Sequence, residues 1–324
     1  MSVREKAAPL PRWLPAALLA LAAVGIVAVL PSISRDQNAG DWYRGRLGGS
    51  LLYTIDTIFA RLLPFLIAGG IALALLQRQR GRRKAPDAGA SRRRHGWTEM
   101  ATHWSNAAGL GLGLVTAVWL LRWFDNPLSL TTTYVLHFIG AGLMVAAVAH
   151  HLTYQLVDGG MGLIPRAWAE VKNAAAELVG YTGVYRGLRG AFGVQLPAPV
   201  RRPFQRVLRR ANLVPEPAGK YLATEKVISY TIWAVLIAVV VLTGIIKTLR
   251  YLMPVPAGLR QFATFLHDGA TIFLIVFLVI HVGALVLVPR NWPLLQSMFT
   301  SRISRAYAEK HLPRWTEEGS SESH

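Results

Sequence analysis

The sequence predicts an all-α integral membrane protein with six membrane-spanning helices. Of its 324 residues, 52% are hydrophobic and only 16% are charged, and apolar runs of membrane-spanning length recur along the chain. The formal net charge is +18. Because the arginines flank the apolar runs and no DNA-binding motif accompanies them, they indicate cytoplasmic loops and not a nucleic-acid-binding surface. The sequence contains no cysteine, which excludes disulfides, thiolate zinc sites and cysteine-ligated iron–sulfur clusters.

Charge in the connecting segments gives the expected orientation. The predicted spans are 13–30, 53–76, 100–121, 133–154, 227–249 and 262–288. Residues 78–94 contain eight basic residues against one acid, and residues 158–225 contain ten against five. By the positive-inside rule, these two segments and both termini are cytoplasmic. The first span is expected to be an uncleaved anchor, because it is long for a signal peptide and no clean cleavage site follows it.

The basic segment 78–94 marks a boundary between two parts of the chain. Residues 1–95 form an N-terminal extension of two membrane helices without histidine, followed by a basic linker. Residues 96–315 form a four-helix domain with a cytoplasmic insertion at about 158–225, and residues 316–324 are a polar tail. Within the insertion, residues 183–210 are expected to form a loop or a short amphipathic helix on the anionic inner leaflet.

Four histidines of the four-helix domain lie at matched depths. His267 and His281 are fourteen residues apart in the last span, which is close to four turns and about 21 Å, so they share one helix face near opposite membrane surfaces. His137 is expected near the outer surface, like His267, and His103 near the inner surface, like His281. Haem iron takes two axial imidazoles from facing helices of a bundle, so two such pairs predict two stacked b-type haems.

Two features near these histidines permit more than one interpretation. His150 and His151 also lie near the inner surface; at most one of them faces the core, where it would either compete with His103 as a ligand or contact a propionate or quinone headgroup. We expect the latter. The small residues Gly109, Gly111, Gly113, Gly140 and Gly269 leave room for a macrocycle, but they also pack membrane helices without any cofactor.

A haem-free transporter with a histidine proton relay is the alternative from another class of protein. Such a relay normally includes carboxylates at mid-membrane, and the last four spans carry none there. At the inner end of the fifth span, Lys220, Tyr221 and Glu225 could bind quinone oxygens and deliver protons, while ordinary interfacial anchoring explains such residues equally well.

From about residue 98 to 315 the chain resembles the cytochrome b (gamma) subunit of respiratory formate dehydrogenases. That family belongs with the b-type subunits of nickel–iron hydrogenases and thiosulfate reductases. The matching pieces are His103-Trp104, Leu136-His137-Phe138, His150-His151, Gly219-Lys220-Tyr221, Thr243-Gly244, His267, His281 and the tail from Ser304 to Trp315. The tail resembles a Trp-Ala-x-x-His-His-Pro-x-Trp ending. Leu222 departs from the family's Lys-Tyr-Asn segment.

The resemblance implies a dihaem cytochrome b with named ligands. His137 and His267 would ligate the outer haem, and His103 and His281 the inner one. An iron–sulfur subunit with its catalytic dehydrogenase subunit would deliver electrons at the outer face, and membrane quinone would accept them at the inner face of a bacterial cytoplasmic membrane. The chain would have no substrate-oxidising site of its own. The alternative within this class is the cytochrome b anchor of a hydrogenase or thiosulfate reductase.

Overall fold

The chain is mostly helical in a computed structural model that describes residues 11–35, 48–80, 89–158, 163–165, 167–185 and 190–321. Its first half contains α1 (Leu14–Arg35), α2 (Gly48–Arg80), β1 (Ser91–Arg93), α3 (Trp97–Leu120) and α4 (Leu130–Asp158). Next come α5 (Trp168–Gly180), α6 (Ala198–Arg210), a π-helical segment (Glu225–Tyr230), α7 (Thr231–Leu249) and α8 (Ala257–Val286). The tail contains a 3-10 turn (Pro289–Asn291), α9 (Trp292–Thr300), β2 (Arg302–Ser304), α10 (Arg305–His311) and α11 (Pro313–Ser321).

Four helices of the described chain are long and apolar enough to cross a membrane. They are Thr57–Gln79, Leu130–Val157, Glu225–Leu249 and Ala257–Val286. They coincide with four predicted spans, which confirms an integral membrane protein. At the other two predicted spans lie α1, whose apolar part Leu14–Val29 is shorter, and α3. Six spans with cytoplasmic termini therefore stay a prediction.

The first of two compact units comprises Met1–Arg83, Thr102–Gly160 and Val241–Phe265. In it, α2 packs against both α1 and α4. Stacking of Phe59 on Phe138, with ring centroids 4.7 Å apart, is part of the apolar contact between α2 and α4. The N-terminal helices thus share a core with the histidine-bearing helix α4.

Glycines set the closest helix contacts of this unit. A side chain at Gly70 of α2 would meet the backbone carbonyl of Ala146 in α4. A Cβ built on Gly109 of α3 would lie 2.8 Å from the carbonyl oxygen of Gly140 in α4, and the reverse distance is also 2.8 Å. Helix backbones in membranes approach this closely only where side chains are small.

The second compact unit comprises Lys84–Ala101, Met161–Val240 and Leu266–His324. Here β1 and β2 pair antiparallel, with Ser91 opposite Ser304. This ribbon is not predictable from the sequence, because strands of three residues are too short to show a periodic pattern.

The ribbon and the tail helices surround a small apolar core in the second unit. Its buried members are Leu222, Leu294, Ile303, Ala308 and Leu312. The backbone N–H of Arg314 donates to the carbonyl of Ala218 at 3.2 Å. The tail therefore holds the segment that carries Lys220 and Tyr221 in place.

Candidate functional site

In the first unit, His137 on α4 has its Nδ1 held by a buried threonine of α3. Nδ1 lies 2.9 Å from Oγ1 of Thr116. The same hydroxyl lies 2.7 Å from the carbonyl oxygen of Leu112 and 2.9 Å from that of Gly113. When its single hydrogen is donated to one of these carbonyls, Oγ1 accepts the proton of Nδ1. The neutral ring then carries its lone pair on Nε2, as an axial metal ligand requires.

In the second unit, His267 on α8 has the same tautomer for a similar reason. Its Nδ1 lies 3.1 Å from the carbonyl oxygen of Val240. A carbonyl only accepts hydrogen bonds, so Nδ1 donates and the lone pair lies on Nε2. Thr271, which is buried, donates its hydroxyl to the carbonyl oxygen of His267 at 2.8 Å. The backbone and side chain of His267 are therefore both fixed.

His281 lies on the same unbroken helix as His267. The helix runs from Ala257 to Val286, so the fourteen residues between the two histidines correspond to about four turns. The ring of His281 stacks on that of Phe277, with centroids 5.7 Å apart. The continuity of α8 supports the expectation that both imidazoles project from one face.

His150 has both ring nitrogens occupied within the first unit. It is 8% exposed; Nε2 lies 3.0 Å from Oε1 of Gln77, and Nδ1 lies 3.1 Å from Oγ1 of Thr102. Since Oε1 only accepts, Nε2 carries the proton and Nδ1 accepts from the threonine. His150 thus connects α2, α3 and α4. An iron atom would have to displace one of these bonds in order to bind it.

His103 and His151 have different surroundings from His150. His103 follows Thr102 in α3 and is exposed, with its ring edge-on to Trp104 at a centroid distance of 5.4 Å. His151 is half-buried. Consecutive helix residues point about 100° apart. The side chains of His103 and His151 therefore point away from the contact between Thr102 and His150.

A buried ion pair organises the polar end of the second unit. Arg94 is 4% exposed, and its Nη2 lies 3.0 and 2.9 Å from the two carboxylate oxygens of Glu225. The guanidinium also donates to the carbonyl of Lys220 at 3.2 Å and to Oγ of Ser297 at 3.3 Å. The same carboxylate accepts from the backbone N–H of Leu222 at 2.9 Å. A buried guanidinium needs such a counter-ion, so Glu225 stabilises the fold by neutralising Arg94.

Beside this ion pair lie Lys220 and Tyr221, together with two residues that were not predicted, Glu99 and His95. Nζ of Lys220 lies 3.1 Å from Glu99 and 5.1 Å from the centre of the Tyr221 ring. Nδ1 of His95 lies 3.5 Å from the same carboxylate, and the His95 and Tyr221 rings are 6.5 Å apart. Burial lowers the pKa of His95, although the Glu99 carboxylate opposes the shift. A neutral imidazole and a phenol therefore lie close together.

His95 is the unusual member of this group. Its side chain is 6% exposed, and among the described residues its Nε2 has no hydrogen-bond partner. An unsatisfied buried nitrogen costs about 1–3 kcal/mol. A buried nitrogen of this kind is explained by a redox or catalytic role or by a bound water or ion.

The sequence model of the family described as prokaryotic cytochrome b561 matches residues 94–301, more than half of the 324-residue chain. The match includes all four expected haem-ligand histidines and the polar residues around Arg94. The chain belongs to the prokaryotic cytochrome b561 family. No curated protein matches the chain.

This cytochrome is therefore an integral membrane protein of the b type that takes part in electron transfer. Cytochromes of this family bind haem b and typically associate with redox partner subunits. Its own donor set fits haem b, because His137 and His267 each have Nδ1 hydrogen-bonded to an acceptor. Such a partner orients the ring and raises the basicity of the ligating nitrogen.

The glycines of the cytochrome fall into two groups. Apart from their chain neighbours and their own helix backbone, no atom of the described residues lies within 4 Å of a Cβ built on Gly111, Gly113 or Gly269, so these positions are open. Gly109 and Gly140, in contrast, bring α3 and α4 together. Of the two interpretations that the sequence left open for the glycines, helix packing applies to these two.

Arg94, His95 and Glu99 were not predicted to belong to the site. Arg94 is the last of the eight basic residues in 78–94, and nothing in a basic run distinguishes a buried arginine from a solvated one. The π-helical segment Glu225–Tyr230 was also not predicted. Such segments occur frequently at functional sites.

Proposed function

We propose that this cytochrome transfers electrons from an iron–sulfur subunit of a formate dehydrogenase-type complex to membrane quinone through two b haems. The observation that carries the haem part of the proposal is the position of Nδ1 in His137 and His267, beside Oγ1 of Thr116 and the carbonyl oxygen of Val240. A proton on each Nδ1 leaves Nε2 as the basic nitrogen. Bound haem supplies one-electron exchange between ferrous and ferric iron.

The ligand assignment follows depth along the helices and the resemblance to formate dehydrogenase gamma subunits. His137 and His267 serve the outer haem; His103 and His281 serve the inner one. The bonds of His150 to a glutamine and a threonine support its omission from the ligand set. The half-buried His151 is kept as a candidate contact to a propionate or to quinone.

The quinone headgroup is proposed to bind beside Lys220 and Tyr221. The ammonium and the phenol are hydrogen-bond donors for quinone oxygens, and the His95 ring lies near them, with its centroid 6.5 Å from that of Tyr221. Glu225 acts by holding Arg94, which in turn binds the carbonyl of Lys220. It is therefore a positioning residue and not a direct ligand.

Haem reduction by a soluble quinol analogue tests this function. Purified cytochrome in liposomes should show two b-type haems in its reduced-minus-oxidised spectrum, and quinol should reduce them. The double variant Lys220→Gln/Tyr221→Phe should keep both haems and be reduced more slowly by quinol, whereas the control Tyr251→Phe should match the wild type. A chain without haem absorbance would instead favour the haem-free transporter.

The identity of the partner is tested separately. Affinity purification of the tagged cytochrome from its native membrane is expected to recover an iron–sulfur subunit and a catalytic subunit, and formate should reduce the haems of that complex. Reduction by hydrogen and not by formate would assign the cytochrome to a hydrogenase. Recovery in the outer-membrane fraction would contradict the proposed inner-membrane location.

A further inference from the structure

The surface of α6 carries an apolar stripe that the cytochrome function does not use. Val200, Phe204 and Val207 are 45%, 58% and 63% exposed. Residues spaced i, i+4 and i+7 lie on one side of a helix. In the isolated chain, the stripe is therefore a continuous apolar surface that is exposed to solvent.

The same helix also carries five arginines. They are Arg201, Arg202, Arg206, Arg209 and Arg210, and the helix contains no acidic residue. In the described part of the chain none of these five side chains forms an ion pair. Their charge is thus left for a partner of opposite sign.

The helix is attached to the protein by its other side. Nε2 of Gln205 donates to the carbonyl of Val184 at 2.8 Å, and Gln205 lies about 140° around the helix from Val200. Beyond the C-terminal end, the hydroxyl of Tyr185 donates to the carbonyl of Leu213 at 2.9 Å. These bonds leave the apolar stripe directed away from its own chain.

We infer that α6 lies along the surface of the membrane, with Val200, Phe204 and Val207 inserted at the acyl–headgroup boundary. The arginines beside this stripe, Arg201, Arg206 and Arg210, then lie on anionic phospholipid headgroups. A strongly amphipathic helix with basic flanks is the form that binds in this way. Guanidinium groups bind phosphate oxygens in bidentate geometry. Only residues 211–224 separate α6 from the segment at Glu225 that enters the membrane. The helix is therefore held close to a bilayer surface.

The absence of cysteine from the chain allows a direct test. Phe204→Cys and, as the matched control on the polar side, Arg209→Cys are each labelled with an environment-sensitive fluorophore in the full-length, haem-loaded cytochrome. The proteins are placed in nanodiscs of phosphatidylcholine alone or mixed with phosphatidylglycerol. Quenching by doxyl-labelled lipid reports insertion, and quenching by iodide reports exposure to water.

With phosphatidylglycerol present, the probe at position 204 should be quenched by doxyl lipid and protected from iodide, while the probe at 209 should stay accessible to iodide. The triple variant Arg201→Gln/Arg206→Gln/Arg210→Gln should reduce lipid quenching at 204, with an unchanged haem spectrum showing that the protein is folded. Iodide access at 204 in both lipid compositions would overturn insertion and favour a protein partner. Equal insertion without phosphatidylglycerol would overturn the role of anionic headgroups.

Discussion

Replacing Thr116 by Val should loosen one haem while leaving the fold intact. Valine has nearly the shape of threonine but lacks the hydroxyl that accepts the proton of His137 Nδ1 at 2.9 Å. Thr116 is fully buried, so water does not replace the lost acceptor. The imidazole N–H of His137 then loses this hydrogen bond.

The expected size follows from the loss of that hydrogen bond. A typical hydrogen bond contributes about 0.5–1.5 kcal/mol net, which corresponds to a roughly 2- to 13-fold loss of haem affinity. Changes to residues that hold metal-ligating histidines typically cost about 10- to 100-fold. The basicity of His137 also falls, which favours ferrous over ferric iron and raises the midpoint potential of that haem.

Haem transfer to apomyoglobin and a redox titration measure the two effects. Thr116→Ser keeps the hydroxyl and should resemble the wild type. Thr133→Val removes an equally buried hydroxyl of α4, one bonded to Ser129 and Asn126 and not to histidine, so it should change stability alone. If Thr116→Val retains both haems with unchanged potentials, Thr116 does not support a ligand.

Three further predictions concern the ion pair of Arg94 with Glu225, the packing of α3 on α4, and His150. Glu225→Ala should lower the unfolding free energy by about 3 kcal/mol, because it leaves Arg94 buried without its counter-ion; an unchanged thermal midpoint would contradict the buried pair. Gly140→Ala should lower the thermal midpoint, since the new Cβ would lie 2.8 Å from a carbonyl of α3, whereas Gly258→Ala, at a position open among the described residues, should not. His150→Ala should leave both haems in place in the haemochromogen assay, and loss of one haem would make it a ligand.

Long apolar runs predicted the membrane helices well, because burial in lipid requires nearly every residue of a helix to be apolar. Four predicted spans overlap helices of the necessary length and apolarity. The end of α1 at Arg35 lies beyond the predicted boundary of 30. Helix ends depend on contacts and capping, which composition does not encode.

The polar residues of the second unit were predicted only in part. Lys220, Tyr221 and Glu225 attracted attention because charged and phenolic groups stand out at the end of an apolar run. Their partner Arg94 is more than a hundred positions away in sequence, and only the pairing of β1 with β2 and the folding of the tail bring it there. Long-range contacts of this kind leave no local pattern.

A count of haems in paired histidine variants tests the dihaem arrangement most directly. The wild-type chain should bind two haems, and His137→Ala/His267→Ala should retain one, the same number as either single variant, because both residues serve the same haem. His137→Ala/His281→Ala should retain none. One haem in the wild type, or complete loss of haem in the His137→Ala/His267→Ala variant, would contradict the proposed ligand pairs.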